Sequence, residues 1–531
     1  MMFRSLIIVF LAVTNLVTLQ GQKIQLLKEI NPTNTLGSFP QYSSTYLVNN
    51  GILYFLADDG SKGVEVWRTD GTTAGTYLLK DIAPGNKALS SANFSALGTK
   101  VIIGAEYNSV YNVYISDGTV DGTILLKSLG ITGFGQEMVT VGNNVYFKAY
   151  SSLTNSCLWK TDGTIAGTIP VLDNLGKYVY SPEILSEHNG ILYFKTIVLN
   201  QGEQLWRSNG ESSGTYPIFA LESIGANPTF HKIVSTPLGA FFDLYTSNKN
   251  QIWITDGTTT GTHLVRDSLF FYLYPRRHNW AFLNGKFYFD TGDSKLWSTD
   301  GTSSGTKLVK NIYPNNVLAS IIRIDTFHSK LIFTIDQSNK EQLWVSDGTE
   351  QGTQRITTFN SNDVNSDIVP FATYGNNLFL VGNANFQNEL WKTDGTTAAL
   401  AYDFDLNYSS DPRDLVVLGD KIIFFAGFNG TNTELYYYLD PLVSSSVPNG
   451  NAEQFKVYPN PAHDHFTISK DITLDENTPI RLIGPDGRLV QQWLQAATDR
   501  QFSIPSLPKG LYVLTGRTKA GNTITSKIII E

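Results

Sequence analysis

One short segment recurs along the chain and limits the folds that the chain can adopt. "WRTDGTTAGT" occupies residues 67–76, and related segments follow at intervals of 44–47 residues. The aromatic residue of this segment occurs at Trp67, Tyr114, Trp159, Trp206, Trp253, Trp297, Trp344, Trp391 and, in a degenerate copy, Tyr436. Repetition at a near-constant period indicates a repeat architecture, in which each unit buries its apolar face against its neighbours.

Each unit has the pattern of a small β-sheet. Short apolar runs such as "GILYFLA" (51–57) and "YLLKDI" (77–82) alternate with Gly- and Asn-containing turns, and no run has a helical period. This pattern predicts about four strands per unit, which is typical of a β-propeller blade. Nine such units match the length from Ile24 to Asp440, so we predict an all-β fold with a single β-propeller of about nine blades.

The two ends of the repeat region complement each other. "IQLLKEI" (24–30) matches the last strand of a unit but has no Asp-Gly-Thr segment before it, whereas "ELYYYLD" (434–440) has no last strand after it. We therefore predict that the N-terminal strand completes the last blade, which would close the ring and remove an exposed sheet edge. Two smaller rings are the alternative.

Composition changes mark the other domain boundaries. Arg4, an apolar run over 6–19 and a small residue at Gly21 predict a signal peptide over 1–21. A membrane anchor is the alternative, but the run is short and polar residues interrupt it. "VSSSVPNGN" (443–451) is typical of a linker, so we assign the propeller to 22–442 and a small Ig-like β-sandwich to 452–531.

Charge and cysteine content exclude some partners and some chemistry. The net charge is −8 over 531 residues, and only 16% of residues are charged. No basic stripe is present, so a nucleic-acid partner is excluded. The single cysteine, Cys157, cannot form an intramolecular disulfide, and its place beside a repeat Trp favours an ordinary strand position over a nucleophile.

Two regions resemble known families. "EVWRTDGTTAGT" (65–76) and "ELWKTDGT" (389–396) resemble the ELWxxDGTxxGT repeat of secreted bacterial proteins, which has no activity to carry over. "KVYPNPAHDHFTI" (456–468) and "GLYVLTGRTKAGNTITSKIII" (510–530) resemble the type A C-terminal sorting domain of the type IX secretion system of Bacteroidetes. The residues that match this sorting signal are Tyr458, Pro459, Asn460, Pro461, Gly510 and Tyr512.

The resemblance of the tail implies a route and a location. The protein would pass through the periplasm and be exported by the type IX translocon, which reads the tail. It would then be secreted or attached to the outer-membrane surface, with no transmembrane segment left after removal of the signal peptide.

Comparison among the copies favours a structural role for the repeated segment. Its acidic position is Asp70, Asp117, Asp162, Asn209, Asp256, Asp300, Asp347 and Asp394. Its following residue is Gly71, Gly118, Gly163, Gly210, Gly257, Gly301, Gly348 and Gly395. One Asn keeps the short acceptor without the charge, as an Asx turn allows, and an invariant Gly indicates a positive φ. A repeated Ca²⁺ site through the Asp and Thr oxygens is the alternative.

Ligand recognition is expected on the opposite face, where the loops vary. The patch "FFYLYPRRHNW" (270–280) combines stacking and cationic groups that suit a glycan or an anionic polymer, at Tyr272, Tyr274, Arg276, Arg277 and His278. Core aromatics with two solvent-reaching Arg are the alternative. Asp58 and Asp59 in "DDGSKG" are Ca²⁺ candidates, with an ordinary polar turn as the alternative.

Signals of catalysis are weak, and no catalytic residue is assigned. The chain has no HExxH, GxSxG or Gly-rich phosphate motif. No cofactor is expected apart from Ca²⁺. We predict a non-enzymatic binding or adhesion module at the cell surface, with a glycan, another surface polymer or a protein as ligand. An extracellular polysaccharide hydrolase or lyase and a purely structural surface scaffold are the alternatives.

Overall fold

A computed structural model gives the conformation of most of the chain. The described residues are 24–33, 38, 45–130, 137–153, 155–198, 202–220, 229–246, 249–269, 280–290, 294–314, 319–337, 340–360, 371–384, 387–402, 410–428, 431–439, 457–458, 460, 462–468, 480–483, 489–493, 501–504, 507, 510–517 and 523–530. The segment predicted as a signal peptide and the linker over 443–451 lie outside these residues.

Residues 24–220 contain the first seventeen strands. These are β1 (Ile24–Lys28), β2 (Leu47–Asn49), β3 (Ile52–Asp58), β4 (Val64–Thr69), β5 (Tyr77–Lys80), β6 (Ser91–Leu97), β7 (Lys100–Tyr107), β8 (Val110–Ser116), β9 (Ile124–Gly130), β10 (Met138–Val141), β11 (Asn144–Ser151), β12 (Asn155–Thr161), β13 (Ile169–Pro170), β14 (Glu183–His188), β15 (Ile191–Val198), β16 (Gly202–Ser208) and β17 (Tyr216–Ala220). Within the described ranges the one helix is a 3-10 turn at Ser212–Gly214, so no helix there could cross a membrane.

Nineteen further strands complete the repeat region. These are β18 (Thr229–Thr236), β19 (Gly239–Thr246), β20 (Lys249–Thr255), β21 (His263–Leu269), β22 (Trp280–Leu283), β23 (Lys286–Asp290), β24 (Lys295–Thr299), β25 (Lys307–Asn311), β26 (Ser320–Phe327), β27 (Lys330–Gln337), β28 (Lys340–Ser346), β29 (Gln354–Asn360), β30 (Ala372–Tyr374), β31 (Asn377–Ala384), β32 (Gln387–Thr393), β33 (Ala398–Tyr402), β34 (Arg413–Leu418), β35 (Lys421–Phe428) and β36 (Thr431–Tyr438).

These strands form nine antiparallel four-stranded blades, numbered here 1–9, and one bridge between Gly130 and Tyr150 joins blades 2 and 3 into a single eight-stranded sheet. Blades 1–8 are built in chain order from β2–β5, β6–β9, β10–β13, β14–β17, β18–β21, β22–β25, β26–β29 and β30–β33. Blade 9 has the order β34-β35-β36-β1, so its fourth strand comes from the N-terminus. The structure therefore confirms the predicted propeller of nine four-stranded blades.

Nine apolar clusters join the blades into one ring. Each cluster contains buried side chains from two successive blades. The cluster between blades 9 and 1 closes the series, and the rings of Phe55 and Phe425 are 5.7 Å apart there. Side chains on both faces of a blade are buried because every blade has a neighbour on each side. Two smaller rings are excluded.

The N-terminal strand closes this ring as the complementary ends predicted. Strand β1 pairs antiparallel with β36, with Ile24 opposite Tyr438. Beyond the strand, the Glu434 carboxylate of blade 9 accepts the backbone N–H groups of Ile30 at 2.8 Å and Asn31 at 3.2 Å. Closure therefore combines strand pairing with a buried charge-assisted contact.

The glutamate of the ELW-type sequence caps the fourth strand in other blades as well. In blade 1, the fully buried Glu65 accepts backbone N–H groups from Ile82 at 2.9 Å and Ala83 at 2.7 Å. Burial raises the pKa of Glu65 to about 7, although these two hydrogen bonds oppose the rise. The carboxylate satisfies donors where the chain leaves the blade, so its role is structural.

The C-terminal region forms a small β-sandwich. Its strands are β37 (Val457–Tyr458), β38 (His465–Ile468), β39 (Ile480–Ile483), β40 (Leu489–Trp493), β41 (Gln501–Ser503), β42 (Gly510–Arg517) and β43 (Thr523–Ile530). They form one sheet of order β37-β38-β41 and another of order β40-β39-β42-β43. The two sheets share one apolar core that includes Phe466, Tyr512 and Ile528.

Candidate ligand-binding site

The ring has two chemically different faces. The repeated Asp-Gly turns join the third and fourth strands of the blades, and we call the face that carries them the hairpin face. The loops between second and third strands and the blade-to-blade connectors lie at the opposite ends of the strands, on what we call the loop face. First strands of neighbouring blades contact each other, as β10 and β14 do, so first strands line the central channel.

Internal hydrogen bonds occupy the polar groups of the hairpin face. In blade 1, Asp70 Oδ1 accepts from the backbone N–H and the hydroxyl of Thr72, at 3.0 and 2.7 Å. The Thr72 hydroxyl in turn accepts from Gly75 N at 2.9 Å. In the other seven copies the side-chain oxygen likewise accepts from the backbone N–H of the residue two positions later. The accepting residues are Asp117, Asp162, Asn209, Asp256, Asp300, Asp347 and Asp394. The Asn209 copy forms its turn without a charge, so the geometry needs only an acceptor.

The two glycine positions of the turn exclude other residues for different reasons, one conformational and one steric. The first, from Gly71 to Gly395 in the eight copies, has φ between +85° and +92°. The second packs against the acidic side chain, and a Cβ on Gly75 would lie 2.0 Å from Asp70 Oδ1. In the eighth copy Ala399 takes this second position. There the turn is shorter, and Asp394 Oδ1 accepts from Thr397 N at 2.8 Å.

This packing predicts a double-mutant result. Gly75→Ala should cost about 2 kcal/mol in free energy of unfolding, because the Asp70 carboxylate must move. In an Asp70→Gly background the same substitution should cost much less, since no side chain opposes the new methyl group. Chemical denaturation of the four proteins gives the coupling energy. Equal costs in both backgrounds would show that the Asp70–Gly75 contact does not restrict the turn.

The hairpin face also holds neighbouring blades together. The carbonyl oxygen of the turn glycine accepts from a cation of the preceding blade. Such pairs are Arg68 with Gly118 at 3.3 Å, Lys160 with Gly210 at 2.8 Å, Arg207 with Gly257 at 3.1 Å and Lys421 with Gly71 at 2.6 Å. The last pair spans the closure between blades 9 and 1. The polar groups of this face are therefore engaged in building the ring.

The structure describes the metal candidates predicted from the sequence but not the ligand candidates. Tyr272, Tyr274, Arg276, Arg277 and His278 fall in the connector between β21 and β22, outside the described residues. Asp58 ends β3, and its Oδ1 accepts from Gly60 N at 2.8 Å. Asp59 Oδ1 accepts from the N–H and hydroxyl of Ser61 and from Lys62 N, at 2.7–2.9 Å. Both are Asx-turn contacts. Within the described residues no three His, Cys, Asp or Glu side chains group closely enough to hold a metal.

The entrance of the channel on the loop face carries polar and aromatic residues that no local sequence motif marks. They share one position, 20–23 residues before the hairpin aromatic of their own unit, just before the first strand or within its first four residues. The described members are Tyr46, Asn93, Glu137, Glu183, Lys232, Arg323, Phe371 and Asp414, which we call the channel-mouth ring. Counting back from each hairpin aromatic could have found them. In the sequence, Arg276 and Arg277 of the predicted patch stand 21 and 20 residues before Trp297, but they lie outside the described residues.

Blades 3, 4 and 5 bring charged members of this ring together. Glu137 Oε2 accepts from Leu185 N at 2.7 Å, which joins blade 3 to the first strand of blade 4. Glu183 lies 3.8 Å from Lys148 Nζ and 3.3 Å from Lys195 Nζ. Lys195 also contacts Glu203 at 2.9 Å. An alternating set of carboxylates and ammonium groups therefore lies where blades 3 and 4 meet.

The channel walls perturb these groups. The side chain of Glu137 is exposed, yet desolvation by the surrounding protein raises its pKa. The nearby Glu183 carboxylate raises this pKa further, whereas the hydrogen bond from Leu185 N and the charge of Lys232 lower it. Crowding lowers the pKa of Lys232. Ile184, which follows Glu183, has a φ of +58°. This left-handed backbone conformation costs a β-branched residue about 1–3 kcal/mol. Perturbed ionisable groups beside a strained backbone are typical of functional sites.

Exposed aromatic and aliphatic side chains extend from this cluster across the loop face. Tyr150 is 40% exposed, Tyr180 47% and Ile197 56%. Tyr150 lies over Gly130, where a Cβ would be 2.5 Å from its ring. The Tyr180 carbonyl accepts from the Thr196 hydroxyl, which places Tyr180 next to Ile197. We call Tyr150, Tyr180 and Ile197 the blade 3–4 track, and Glu183 begins the strand that follows Tyr180 in the chain.

A second group occupies another part of the channel mouth. Arg323 of blade 7 stacks on Phe371 of blade 8, with 4.7 Å between Cζ and the ring centroid, and pairs with Asp325 at 3.0 Å. Desolvation by the surrounding protein raises the pKa of Asp414 to about 6, although the positive charge of Arg413 lowers it. Burial also raises the pKa of Tyr46, with Asp414 adding to the rise and Arg323 opposing it. Blades 1, 7, 8 and 9 therefore contribute two aromatic rings, a cation and a carboxyl group to one area.

Together these features define the class of protein. A closed ring of nine four-stranded blades, with a polar channel mouth and a separate β-sandwich, is a β-propeller protein with an appended domain. Residues 456–531 match the family model described as the secretion system C-terminal sorting domain. The chain is therefore handled by the type IX secretion system and exported, to be secreted or placed at the cell surface. No curated protein matches the chain.

Solved structures with a similar fold have low sequence identity to the chain. The computationally designed Ika8 protein is 13% identical, with a TM-score of 0.41, covering 70% of this chain and 98% of its own. The Dos1 propeller is 11% identical, with a TM-score of 0.37, covering 65% and 92%. A puromycin hydrolase is 11% identical, with a TM-score of 0.34, covering 67% and 60%. At these values the three bear on neither the ligand nor the activity of this protein.

Proposed function

We propose that this protein is a binding or adhesion module that holds a glycan or another surface polymer on its loop face. The ligand lies across the blade 3–4 track and over the channel-mouth ring. No cofactor takes part in this binding. The repeats belong to the ELWxxDGT type, and the mature protein is attached to the outer-membrane surface after export.

One observation carries this proposal. The turn that builds each blade is nearly invariant over eight copies, whereas the position at the channel mouth differs in almost every copy. A scaffold repeats, while a recognition surface diversifies. The diversified position supplies aromatic rings, cations and carboxylates, which stack on sugar rings and hydrogen-bond to hydroxyl or acidic groups.

The patch predicted from the sequence fits the same proposal. By sequence spacing, Arg276 and Arg277 correspond to Lys232 and Arg323, since each stands 20–21 residues before the hairpin aromatic of its unit. The repeats of blades 5, 6 and 7 thus each carry a cationic residue at this sequence position. Such a series favours a polymer that carries carboxylate or sulfate groups.

Binding to a glycan array tests the proposal. The mature chain should bind at least one polymer, and Tyr180→Ala and Arg323→Ala should each weaken that binding about tenfold in calorimetry, since each removes a central contact. Ile165→Ala is the matched control, because Ile165 is 64% exposed but lies in a turn of the hairpin face. Absence of binding to any glycan, matrix or cell-surface polymer would contradict the proposal. An equal loss of binding with Ile165→Ala would contradict the assignment of the binding site to the loop face.

A polysaccharide hydrolase is the second candidate, and the two carboxyl groups of blades 3 and 4 favour it. Glu137, with its raised pKa, and the lysine-paired Glu183 differ in environment as an acid and its partner carboxylate do. New reducing ends appearing from a bound polymer in the same experiment, and disappearing with Glu137→Gln, would establish this activity. A polymer that is bound but remains intact would exclude it.

A further inference from the structure

Two neighbouring blades carry aliphatic residues at hairpin positions where the other blades are polar. Two residues after the first turn glycine, blades 2 and 3 have Val120 and Ile165. The other six copies have Thr73, Ser212, Thr259, Ser303, Glu350 and Thr397 there. The residue after the closing Gly-Thr pair is Ile124 in blade 2 and Ile169 in blade 3, whereas the other five copies with this pair have Tyr, His, Lys or Gln. The turn itself therefore does not require aliphatic residues at these positions.

These side chains are exposed on the outer rim of the hairpin face. Ile165 is 64% exposed, Ile124 53%, Val120 51% and Ile169 42%. Leu175, in the connector from blade 3 to blade 4, is 73% exposed. We call these five residues the rim patch. Folding of the ring thus leaves a large part of each side chain in water, which is unfavourable for an aliphatic group.

The members from blades 2 and 3 flank the seam between these blades. Ile124 is paired with Ile115, and a Cβ on Gly163 of the next hairpin would lie 2.7 Å from Ile115 Cδ1. Ile165 follows Gly163 by two residues. In blade 1 the equivalent Thr73 donates to a backbone carbonyl of the preceding fourth strand at 2.9 Å, so this position lies against the neighbouring blade. Ile124 and Ile165 are therefore close to each other across the seam.

Each hairpin also keeps its own two aliphatic residues together. Val120 O accepts from the backbone N–H of the residue before Ile124 at 3.3 Å. Ile165 O accepts from that of the residue before Ile169 at 3.4 Å. The four side chains therefore form one series from blade 2 to blade 3.

Contacts with the hairpin of blade 4 extend this series to Leu175. Ile169 is paired with Lys160, whose Nζ donates to Gly210 O of the blade 4 hairpin at 2.8 Å. The residue before Leu175 donates its backbone N–H to Thr215 O of the same hairpin at 2.9 Å. Ile169 and Leu175 therefore both lie beside the hairpin of blade 4.

The composition of the rim patch favours a protein surface as its partner. Five such side chains approach the roughly 300–600 Å² of the largest apolar patch on a typical monomer, and patches of this kind mark interaction sites. Membrane-contacting surfaces carry Trp, Tyr, Lys or Arg at their margins, whereas residues 118–126 and 163–172 include none of these. Strand β13 has only two residues and one is Pro170, so a partner would engage side chains rather than extend the sheet.

Opposite charges flank the two ends of the rim patch. Asp121 is exposed at the blade 2 end, and Lys177 is exposed at the blade 4 end. A two-fold axis at the Ile124–Ile165 seam would reverse one copy of the chain relative to another, and the negative end of each copy would then face the positive end of the other. The rim patch is therefore complementary to itself in apolar surface and in charge. With a polar margin it approaches the roughly 800 Å² per partner of a standard interface.

We propose that the rim patch is the contact surface of a two-fold symmetric dimer, so that its partner is a second copy of this chain. The aliphatic side chains of the two copies pack together around the axis, and the charged ends pair at the margin. The loop faces of both copies stay open, because the patch lies on the hairpin side of the ring. The dimer goes beyond the glycan-binding proposal and does not depend on it.

Analytical ultracentrifugation of the chain that begins at residue 22 tests the dimer. The wild-type chain should dimerise at micromolar concentration, and Ile165→Lys should raise the dimer dissociation constant about 30-fold or more, because a charge enters the centre of the interface. Ser303→Lys is the matched control, since Ser303 has the same turn position in blade 6 and is exposed. Both variants should unfold in urea at the wild-type midpoint, and Ser303→Lys should dimerise as the wild type does. A monomeric wild-type chain, or an equal loss with Ser303→Lys, would overturn the inference.

A charge exchange tests the two-fold arrangement. Asp121→Lys and Lys177→Asp should each weaken the dimer about tenfold, because like charges then face each other at both ends of the patch. The double variant restores opposite charges and should dimerise within about twofold of the wild type. A double variant that is no tighter than the single ones would overturn the arrangement. Monomers that bind phospholipid vesicles, and lose this binding with Ile165→Lys, would overturn the inference in favour of a membrane partner.

Discussion

Deletion of residues 24–30 should lower the free energy of unfolding of the ring by about 5 kcal/mol or more. The deletion removes the buried side chains of Ile24, Leu27 and Ile30, each of which contributes about 1.5–3 kcal/mol by burial. It also removes the N–H group of Ile30 from the buried Glu434 carboxylate. A charge left buried with fewer donors adds to the loss. The open edge of β36 should in addition promote aggregation.

Urea denaturation of chains that begin at residue 22 and at residue 31 measures this effect. Glu29→Ala in the longer chain is the control, since Glu29 is exposed and lies in the same segment. That variant should change the unfolding free energy by less than about 0.5 kcal/mol. A deleted chain as stable as the full one would show that β1 does not close the ring.

Replacement of Glu65 by Ala should cost about 4 kcal/mol near neutral pH. The change leaves the backbone N–H groups of Ile82 and Ala83 buried without their acceptor, at about 1–3 kcal/mol each, and it opens a small cavity. Glu65→Gln should cost less. Three other blades carry Gln at this position, and there the amide oxygen accepts from the Nε1–H of the hairpin Trp, as in Gln204 with Trp206 at 3.1 Å.

The same residue predicts a pH dependence of stability. The pKa of Glu65 is raised from about 4.5 to about 7 in the folded state, chiefly by burial. A carboxyl group with a raised folded-state pKa binds its proton more tightly when folded. The stabilisation that this tighter proton binding gives to the folded state is complete below pH 4.5 and is lost as the pH rises through 7. Glu65→Gln should therefore flatten the fall in unfolding free energy between these pH values, compared with wild type. An unchanged pH profile would contradict the raised pKa.

The sequence predicted the architecture well because the architecture repeats. The hairpin aromatic, the Asp/Asn and the Gly recur with the same local chemistry, so their period defines the blades. The unmatched segments at 24–30 and 434–440 predicted the closure between β1 and β36, which the structure confirms. Neither inference required knowledge of contacts between distant residues.

The candidate site was much harder to predict, because its members do not resemble each other. Glu137, Lys232 and Phe371 differ in chemical type, and any two of them are more than 90 residues apart, so no local motif contains them. They become neighbours of one channel mouth only once the blades are arranged in a ring. The patch at 272–278 is marked by a local concentration of aromatic and cationic residues, whereas the connector of Tyr180 has only one other aromatic residue, Tyr178. The raised pKa of Glu137 depends on the channel wall and has no sequence signal.

Mapping of the bound ligand by amide exchange tests the central claim most directly. A polymer that the array identifies should slow exchange in peptides that cover the channel-mouth ring, at residues 137–141, 183–188 and 320–327. Peptides that cover the hairpin turns, such as 69–76 and 161–168, should be unaffected, because their polar groups are already bound within the ring. Protection confined to the hairpin turns or to the outer strands would contradict the assignment of ligand binding to the loop face.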